Sequence, residues 1–526
     1  MVRSLRGTAM VAACLLALGC SSAAPHPTGG PAQPPAQHPW LPTRPPIQHL
    51  PPGPPAAATA APFPQPAATA AYPAPFEFED AGVNPYVDPL RDPFSTFAMD
   101  VDTASYGVTR RFLQDGYMPD RDSVRLEEFV NSFQYGYTPP SESAFAINFD
   151  GGPTPFTPVR SVMLRIGIQA REIPDELRSP VSLTFVIDTS GSMDMENRLE
   201  LVKAALGLLV TRLRADDSVA IVTFGDTAHM ILTPTSAAEP QQILGAINQL
   251  RPGGSTNVQA GLELGYDVAA LGHRRGALDR VVLASDGVAN VGLTDADSIL
   301  ARIDREVDAG VELVSVGVGM GNFNDTLLEQ LANRGNGFYA YINDRVEADR
   351  LFGTELVGTL QTVARDARVQ VEFRAEAVLH YRLLGYENRR IADRDFTDPY
   401  VDAGEVGAGH SVTALYEIEP AWGRDGHLGT IRLRWVDPQT GIEREEVRDI
   451  DLFSMGDDFP STGTSFRLAA TVAGFAEILR ESPYVSGYSL LDVAREAADL
   501  ARIFEGRLDV DDFRQLTEIA ARIGGR

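Results

Sequence analysis

The chain has 526 residues, a formal net charge of -26 at pH 7 and a pI near 4.7. That length exceeds what one ordinary core holds, so two or three domains are expected. The acidic balance excludes nucleic acid as a partner, because a nucleic-acid face needs clustered Lys and Arg against phosphate.

Arg3 and Arg6 precede an apolar stretch from Ala9 to Leu18, the plan of an export signal and too short to cross a bilayer as a helix. Its end, Ala17-Leu18-Gly19-Cys20, resembles a bacterial lipoprotein cleavage box with the Leu one place late. That resemblance implies a signal peptide over residues 1–20 and a diacylglycerol-modified, N-acylated Cys20, whose acyl chains would hold the protein to a lipid bilayer. Ser21 after the anchor fits outer-membrane sorting, with the body in the periplasm or facing outward. The second cysteine, Cys14, lies inside the signal. The mature body therefore lacks thiols, which excludes disulfides, Cys-ligated zinc, iron–sulfur clusters and thiol catalysis.

Residues 21–82 are rich in Pro and Ala, with pairs such as Pro34-Pro35, Pro45-Pro46 and Pro51-Pro52. Such a composition builds no core and reads as a disordered tether, extended by about 3.1 Å per residue where it adopts polyproline II. Order is expected from residue 83. Ser95 to Asp102 alternates as a strand, a helix follows Thr103 through Leu113, and a second runs from Val124 to Phe133. Two strand-like runs come next, Ala144 to Phe149 and Ser161 to Gln169. The latter alternates Val162, Leu164, Ile166 and Ile168, which predicts a half-buried strand.

Beyond Pro180 strand and helix alternate, the grammar of a doubly wound, mostly parallel α/β sheet. Strands are predicted at Val181 to Ile187, Ser218 to Phe224, His229 to Leu232, Val281 to Ala284, Val311 to Val316 and Gly337 to Ile342. Helices are predicted at Arg198 to Leu213, Ala238 to Leu250, Thr256 or Asn257 to Leu271, Thr294 to Val307, Asp325 to Ala332 and Arg345 to Val363. From residue 364 strand-like runs return at Val369 to Phe373, Ser411 to Glu419 and Thr430 to Trp435. Helices from Ser465, Leu490 and Val510 finish the chain. Strand-like runs on both flanks leave open that the α/β stretch is an insertion in a β-sandwich.

Chemistry gathers at strand ends. Asp188-Thr-Ser190-Gly-Ser192 follows one buried strand and Asp286 another, with Thr256 in the Gly-rich loop between them. In an open parallel sheet, ligands bind at such carboxyl ends. Carboxylate and hydroxyl oxygens suit a hard divalent cation. An Asp-x-Ser-x-Ser turn is also good helix-capping chemistry, so taken alone it leaves both readings open. Other motifs are weaker. Gly317-Val318-Gly319-Met320-Gly321 lacks dinucleotide spacing and reads as a turn. His229, His273, His380, His410 and His427 are scattered. No Gly-x-Ser-x-Gly elbow surrounds Ser190 or Ser192. Asp100 and Asp102 offer a second cation site, but alternate acids on a strand edge more often face solvent, which is the expectation here.

Asp188, Ser190, Ser192, Thr256 and Asp286 together resemble the metal-ion-dependent adhesion site of a von Willebrand factor type A domain, over residues 179–363. Asp100 to Tyr106 with Val124 to Glu128 resembles the N-terminal domain (83–178), and Asp402 to His410 the C-terminal domain (364–526), of the YfbK-like group. The resemblance implies a Rossmann-like sheet and Mg²⁺, or Mn²⁺ or Ca²⁺, held by Ser190, Ser192 and Thr256, with Asp188 and Asp286 acting directly or through water. It also implies a non-enzymatic, lipid-anchored module of the bacterial cell envelope that binds an Asp or Glu of a partner protein. A metal-independent envelope scaffold and a metal-assisted hydrolase are the rival expectations.

Overall fold

The computed structural model describes residues 78, 80–99, 102–157, 161–286, 298–299, 301, 307, 310–319, 325–342, 344–349, 351–352, 361–398, 401, 403–421, 426–451 and 458–524. Cys20, the tether as far as residue 77, Asp100 and Asp402 lie outside them, as does most of the helix predicted after Thr294. The first flank comprises β1 (Phe94–Ala98), α1 (Ala104–Gln114), α2 (Leu126–Asn131), β2 (Phe145–Gly152) and β3 (Val162–Ala170). Next come β4 (Val181–Asp188), α3 (Arg198–Val210), β5 (Ser218–Phe224), β6 (Ala228–Ser236), α4 (Pro240–Gln249), α5 (Val258–Gly272) and β7 (Leu278–Ser285). They are followed by β8 (Glu312–Val318), α6 (Asp325–Arg334), β9 (Tyr339–Ile342) and the short α7 (Arg345–Ala348). The second flank holds β10 (Thr362–Phe373), β11 (Val378–Leu384), β12 (Val406–Gly407), β13 (Ser411–Pro420), β14 (His427–Val436) and β15 (Glu443–Asp451). Helices α8 (Thr464–Leu479), α9 (Leu490–Ile503) and α10 (Leu508–Ile523) close it.

The middle stretch is the doubly wound α/β unit, with strand order β6-β5-β4-β7-β8-β9. Five strands are parallel, and β6 runs antiparallel to β5. The turn Gly225-Asp226-Thr227 between β5 and β6 is too short for a crossover, so antiparallel pairing is what it permits. Strands β4, β5 and β8 are buried at every residue because helices cover both faces. Leu199, Val202 and Leu206 of α3 with Ile243 and Ile247 of α4 pack on Leu183, Phe185 and Ile187. Leu262 and Tyr266 of α5 and Leu328 of α6 cover Val186, Val222 and Leu283 on the other face, joined there by Val108 and Phe112 of α1.

The flanks build a β-sandwich together. One sheet runs β1-β10-β14-β15 with β12 beside β10; the other runs β11-β13-β3-β2. Strand β1 pairs with β10 and β3 with β13, so chain from before and after the α/β unit shares both sheets. Their facing side chains, among them Phe97, Val369, Val371 and Ile431 against Leu164, Ile166, Val412 and Tyr416, form one core. All nine residues of β3 are buried, where alternation predicted half. Leu164 and Ile166 face the sandwich core, while Met163 joins a second core built with α2, α8, α9 and α10.

Other differences have equally local causes. The helix predicted through Val363 gives way to β10, whose Thr362 pairs with Gly407 of β12; Thr362 and Val363 are β-branched and suit a strand. Strand β15 was not predicted, because Glu443 to Asp451 is charged almost throughout and exposed. It takes its register from β14, and a charged edge strand resists further pairing.

At the neck of the insertion the Gln361 amide bonds the backbone of Ser179 in both directions, each at 3.1 Å. Beside it Arg178 grips Asp217 bidentately, at 2.8 and 2.5 Å. In the sandwich, Arg382 is fully buried between Glu417 at 2.7 Å and Glu477 at 3.0 Å and lies 4.3 Å from the Tyr484 ring centre. Removing one member of such a buried network strands the others' charge, at a cost of about 3–5 kcal/mol. Arg382→Met is therefore expected to lower the thermal midpoint by several degrees. Arg502→Ala, which breaks an exposed pair with Asp499, should leave it nearly unchanged in the same calorimetric comparison.

Candidate metal-ion site

Asp188 ends β4, and Asp286 follows the last residue of the adjacent parallel strand β7. The chain leaves β4 toward β5 on one side and later returns on the other through β7, so the two carboxylates flank the topological switch point, where open α/β sheets bind ligands. Both are buried. Three backbone contacts bring the remaining residues to this rim. Thr189 N donates to Phe224 O at the end of β5 (2.8 Å), Gly191 N to Gly254 O (3.0 Å) and Gly253 N to Thr189 O (2.6 Å). The Gly-rich loop is thereby stitched to the Asp188 loop, with Thr256 buried in it.

Within the rim, Ser190 N donates to Asp188 Oδ1 at 2.8 Å and Ser285 Oγ to Asp188 Oδ2 at 2.7 Å. The Ser190 and Ser192 hydroxyls stand 3.0 Å apart. Ser190 precedes a helical turn without capping it through its side chain, so the capping alternative does not describe this serine. In the neighbouring loop, Asn257 caps α5, its Oδ1 accepting from Ala260 N at 3.0 Å.

The donor set is two carboxylates and three hydroxyls, without a soft ligand, which fits Mg²⁺, Mn²⁺ or Ca²⁺. Burial, and then the Asp286 charge, push the Asp188 carboxyl up to about 6 in spite of its hydrogen bonds from Ser190 and Ser285. Asp286 Oδ1 is buried and accepts no hydrogen bond from the protein. A divalent cation would relieve both conditions. Among the described residues no group of three or more His, Cys, Asp or Glu side chains offers another metal site.

One residue of the rim was not anticipated. Arg198, the first residue of α3, donates from Nη1 to Asp286 Oδ2 at 2.8 Å, with both side chains almost fully buried. The available signal was its place: a cation at a helix N-terminus opposes the helix dipole, so something else holds it there.

The other singled-out residues serve elsewhere. Asp102 faces inward, against expectation, accepting from Tyr339 N at 3.2 Å and pairing with Arg389. It is drawn in because α1 packs on the α/β sheet. Ser105 accepts from Arg125 N at 2.9 Å and donates through its own N to Glu128 at 2.8 Å, so the two N-terminal motifs brace one another. His229 bonds Thr227, His273 bonds Asp279, His380 bonds Glu419 and His427 bonds Asp451. None of these four is engaged with Ser190 or Ser192. Gly317 and Val318 belong to β8, and the turn begins at Gly319.

The elevated Asp188 pKa has a definite consequence without metal. The folded state holds this proton more tightly than the unfolded chain, so Asp188 costs stability as pH rises from about 4 through about 6. Metal-free Asp188→Asn is expected to unfold at a higher temperature than the parent at pH 7.5, by about 1–3 kcal/mol in stability. The gain should vanish near pH 4 in thermal scans with chelator.

Residues 183–288 match the family described as von Willebrand factor type A domain, residues 74–164 the one described as von Willebrand factor, and residues 358–427 the C-terminal domain of the uncharacterized protein YfbK. YfbK of Escherichia coli is 35% identical over 440 residues, which covers 78% of this chain and 75% of that protein. Human inter-alpha-trypsin inhibitor heavy chain H3 is 26% identical over 263 residues, or 46% of this chain and 28% of that one. A solved von Willebrand factor type A protein from Catenulispora acidiphila is 18% identical, with a TM-score of 0.41 over 75% of this chain and 89% of that one. Identity of this extent, with type A and YfbK C-terminal segments in the same chain, places the protein in the YfbK family of von Willebrand factor type A domain proteins.

Proposed function

We propose that the chain is a protein-binding module of the bacterial envelope, anchored by lipid at Cys20, that takes a partner's Asp or Glu side chain on a divalent cation at the β4–β7 rim. One observation carries the reading. Asp188 and Asp286 flank the place where the sheet switches direction, the Ser190–Ser192 loop and the loop that carries Thr256 are tied to one another beside them, and Asp286 Oδ1 is buried without a hydrogen bond. Hydroxyl donors neutralise little of a cation's charge, so a bound Mg²⁺ keeps attraction for an outside carboxylate. The type A relatives support a role in protein interaction. Attachment in this proposal is through Cys20 and the tether; among the described residues no helix is long and apolar enough to cross a membrane.

Mg²⁺ is expected to raise the thermal midpoint of the full-length chain, through binding that favours the folded state, and Asp188→Ala should abolish the rise. In pull-downs from envelope extract, the parent protein should retain a partner in Mg²⁺ and release it in chelator. Equal retention by parent and variant in both conditions would instead identify a metal-independent scaffold; turnover of a substrate without a retained partner would indicate a metal-assisted hydrolase.

A further inference from the structure

We propose that Arg198 sets the charge of the cation site: by occupying one oxygen of Asp286 it weakens cation binding, and it adds a positive charge to the loaded site that favours an anionic ligand. This rests on the cation-site reading above and adds to it the residue that tunes the site.

The arrangement is built. Arg198 is 2% exposed although it carries a full charge, and burial of such a charge requires a fixed partner. Asp286 Oδ2 supplies it at 2.8 Å. On its other side the side chain lies against Gly319, at the turn after β8, where φ is +76°. A Cβ at Gly319 would stand 2.3 Å from Arg198 Nε and 2.6 Å from Cδ, so only glycine leaves the space. Gly319 thus has a use unrelated to phosphate: it admits an arginine to the rim.

The approach to Arg198 is also unusual. Glu196 and Asn197, directly before it, both have left-handed backbones, with φ of +52° and +58°. Side-chain-bearing residues hold that conformation only where their surroundings impose it. Glu196 meets Arg111 of α1 at 3.4 Å, so the first flank helps to set the turn that launches α3 from Arg198.

The charge balance follows directly. Asp188 and Asp286 carry two negative charges when ionised. A divalent cation alone would leave them neutral, and Arg198 adds its positive charge beside them. With Oδ2 held by the guanidinium, Asp286 offers a cation Oδ1 alone, the atom the protein leaves without a hydrogen bond. Cation affinity is lower for it, and affinity for a carboxylate or another small oxyanion is higher.

The test is isothermal titration of the full-length chain with Mg²⁺ at pH 8, comparing the parent with Arg198→Gln, which keeps much of the size and removes the charge. Arg198→Gln is expected to bind Mg²⁺ about tenfold more tightly. Acetate added to the Mg²⁺-loaded proteins is expected to raise the thermal midpoint of the parent more than that of the variant. Gly319→Ala, which drives the guanidinium off Asp286 without removing it, should tighten Mg²⁺ binding in the same direction, and it serves where Arg198→Gln fails to fold. Unchanged or weaker Mg²⁺ affinity in a folded variant would overturn the proposal while leaving the cation site standing, and an equal acetate response would overturn its anion-selecting half. If neither the parent nor any variant binds Mg²⁺, the cation-site reading itself falls.

Discussion

Strand β3 lies antiparallel beside β13, and Gln169 Nε2 reaches the carbonyl of Gly409, 240 positions later, at 2.9 Å. The α/β unit between Ser179 and Gln361 must therefore leave and re-enter the sandwich at one place. Closing so long a loop is tolerable when the intervening chain folds as a unit whose ends already lie together. The Gln361 amide joins those ends by bonding Ser179 twice, and the Arg178–Asp217 pair fixes the entering strand. The α/β unit is further held by α1, which precedes it in the chain and packs on its sheet. Arg110 of α1 pairs with Asp344 and Glu347 near α7 and with Asp512 of α10. One guanidinium thus ties the first flank, the insertion and the last helix.

That anchoring bears on the rim. A doubly wound sheet delivers the ends of β4 and β7 to adjacent positions, and the sequence puts a carboxylate at each. Two buried carboxylates so close resist joint ionisation, and the protein offsets this in part: hydrogen bonds from Ser190 and Ser285 support Asp188, and Arg198 supports Asp286. The offset is incomplete, since Asp188 is still pushed up to about 6. The neighbouring Glu196–Arg111 contact connects the rim to α1, so the flanks and the site belong to one packed body.

Local pattern determined much of this molecule. Near-continuous apolar runs at Val181 to Ile187, Ser218 to Phe224 and Val281 to Ala284 mark strands buried on both faces, and amphipathic stretches between them mark the covering helices. The alternation of the two therefore specifies a parallel sheet, and the positions of Asp188, Thr256 and Asp286 follow, because each ends or follows an element whose period is legible. What no local pattern contains is decided by contacts distant in the chain. Strand β15 is charged at all but Val447 and Ile450 and exists because β14 offers it a ladder. Strand β3 looks half-exposed, yet the helices that bury its second face come from the far end of the chain. Asp102 looks solvent-facing until α1 is placed against the sheet. Arg198 reads as an ordinary helical residue, since its partner Asp286 and its neighbour Gly319 follow the ends of other strands. Side-chain period is a property of one segment and survives in sequence, whereas the partner of a buried charge is a property of two segments and appears only when the fold brings them together.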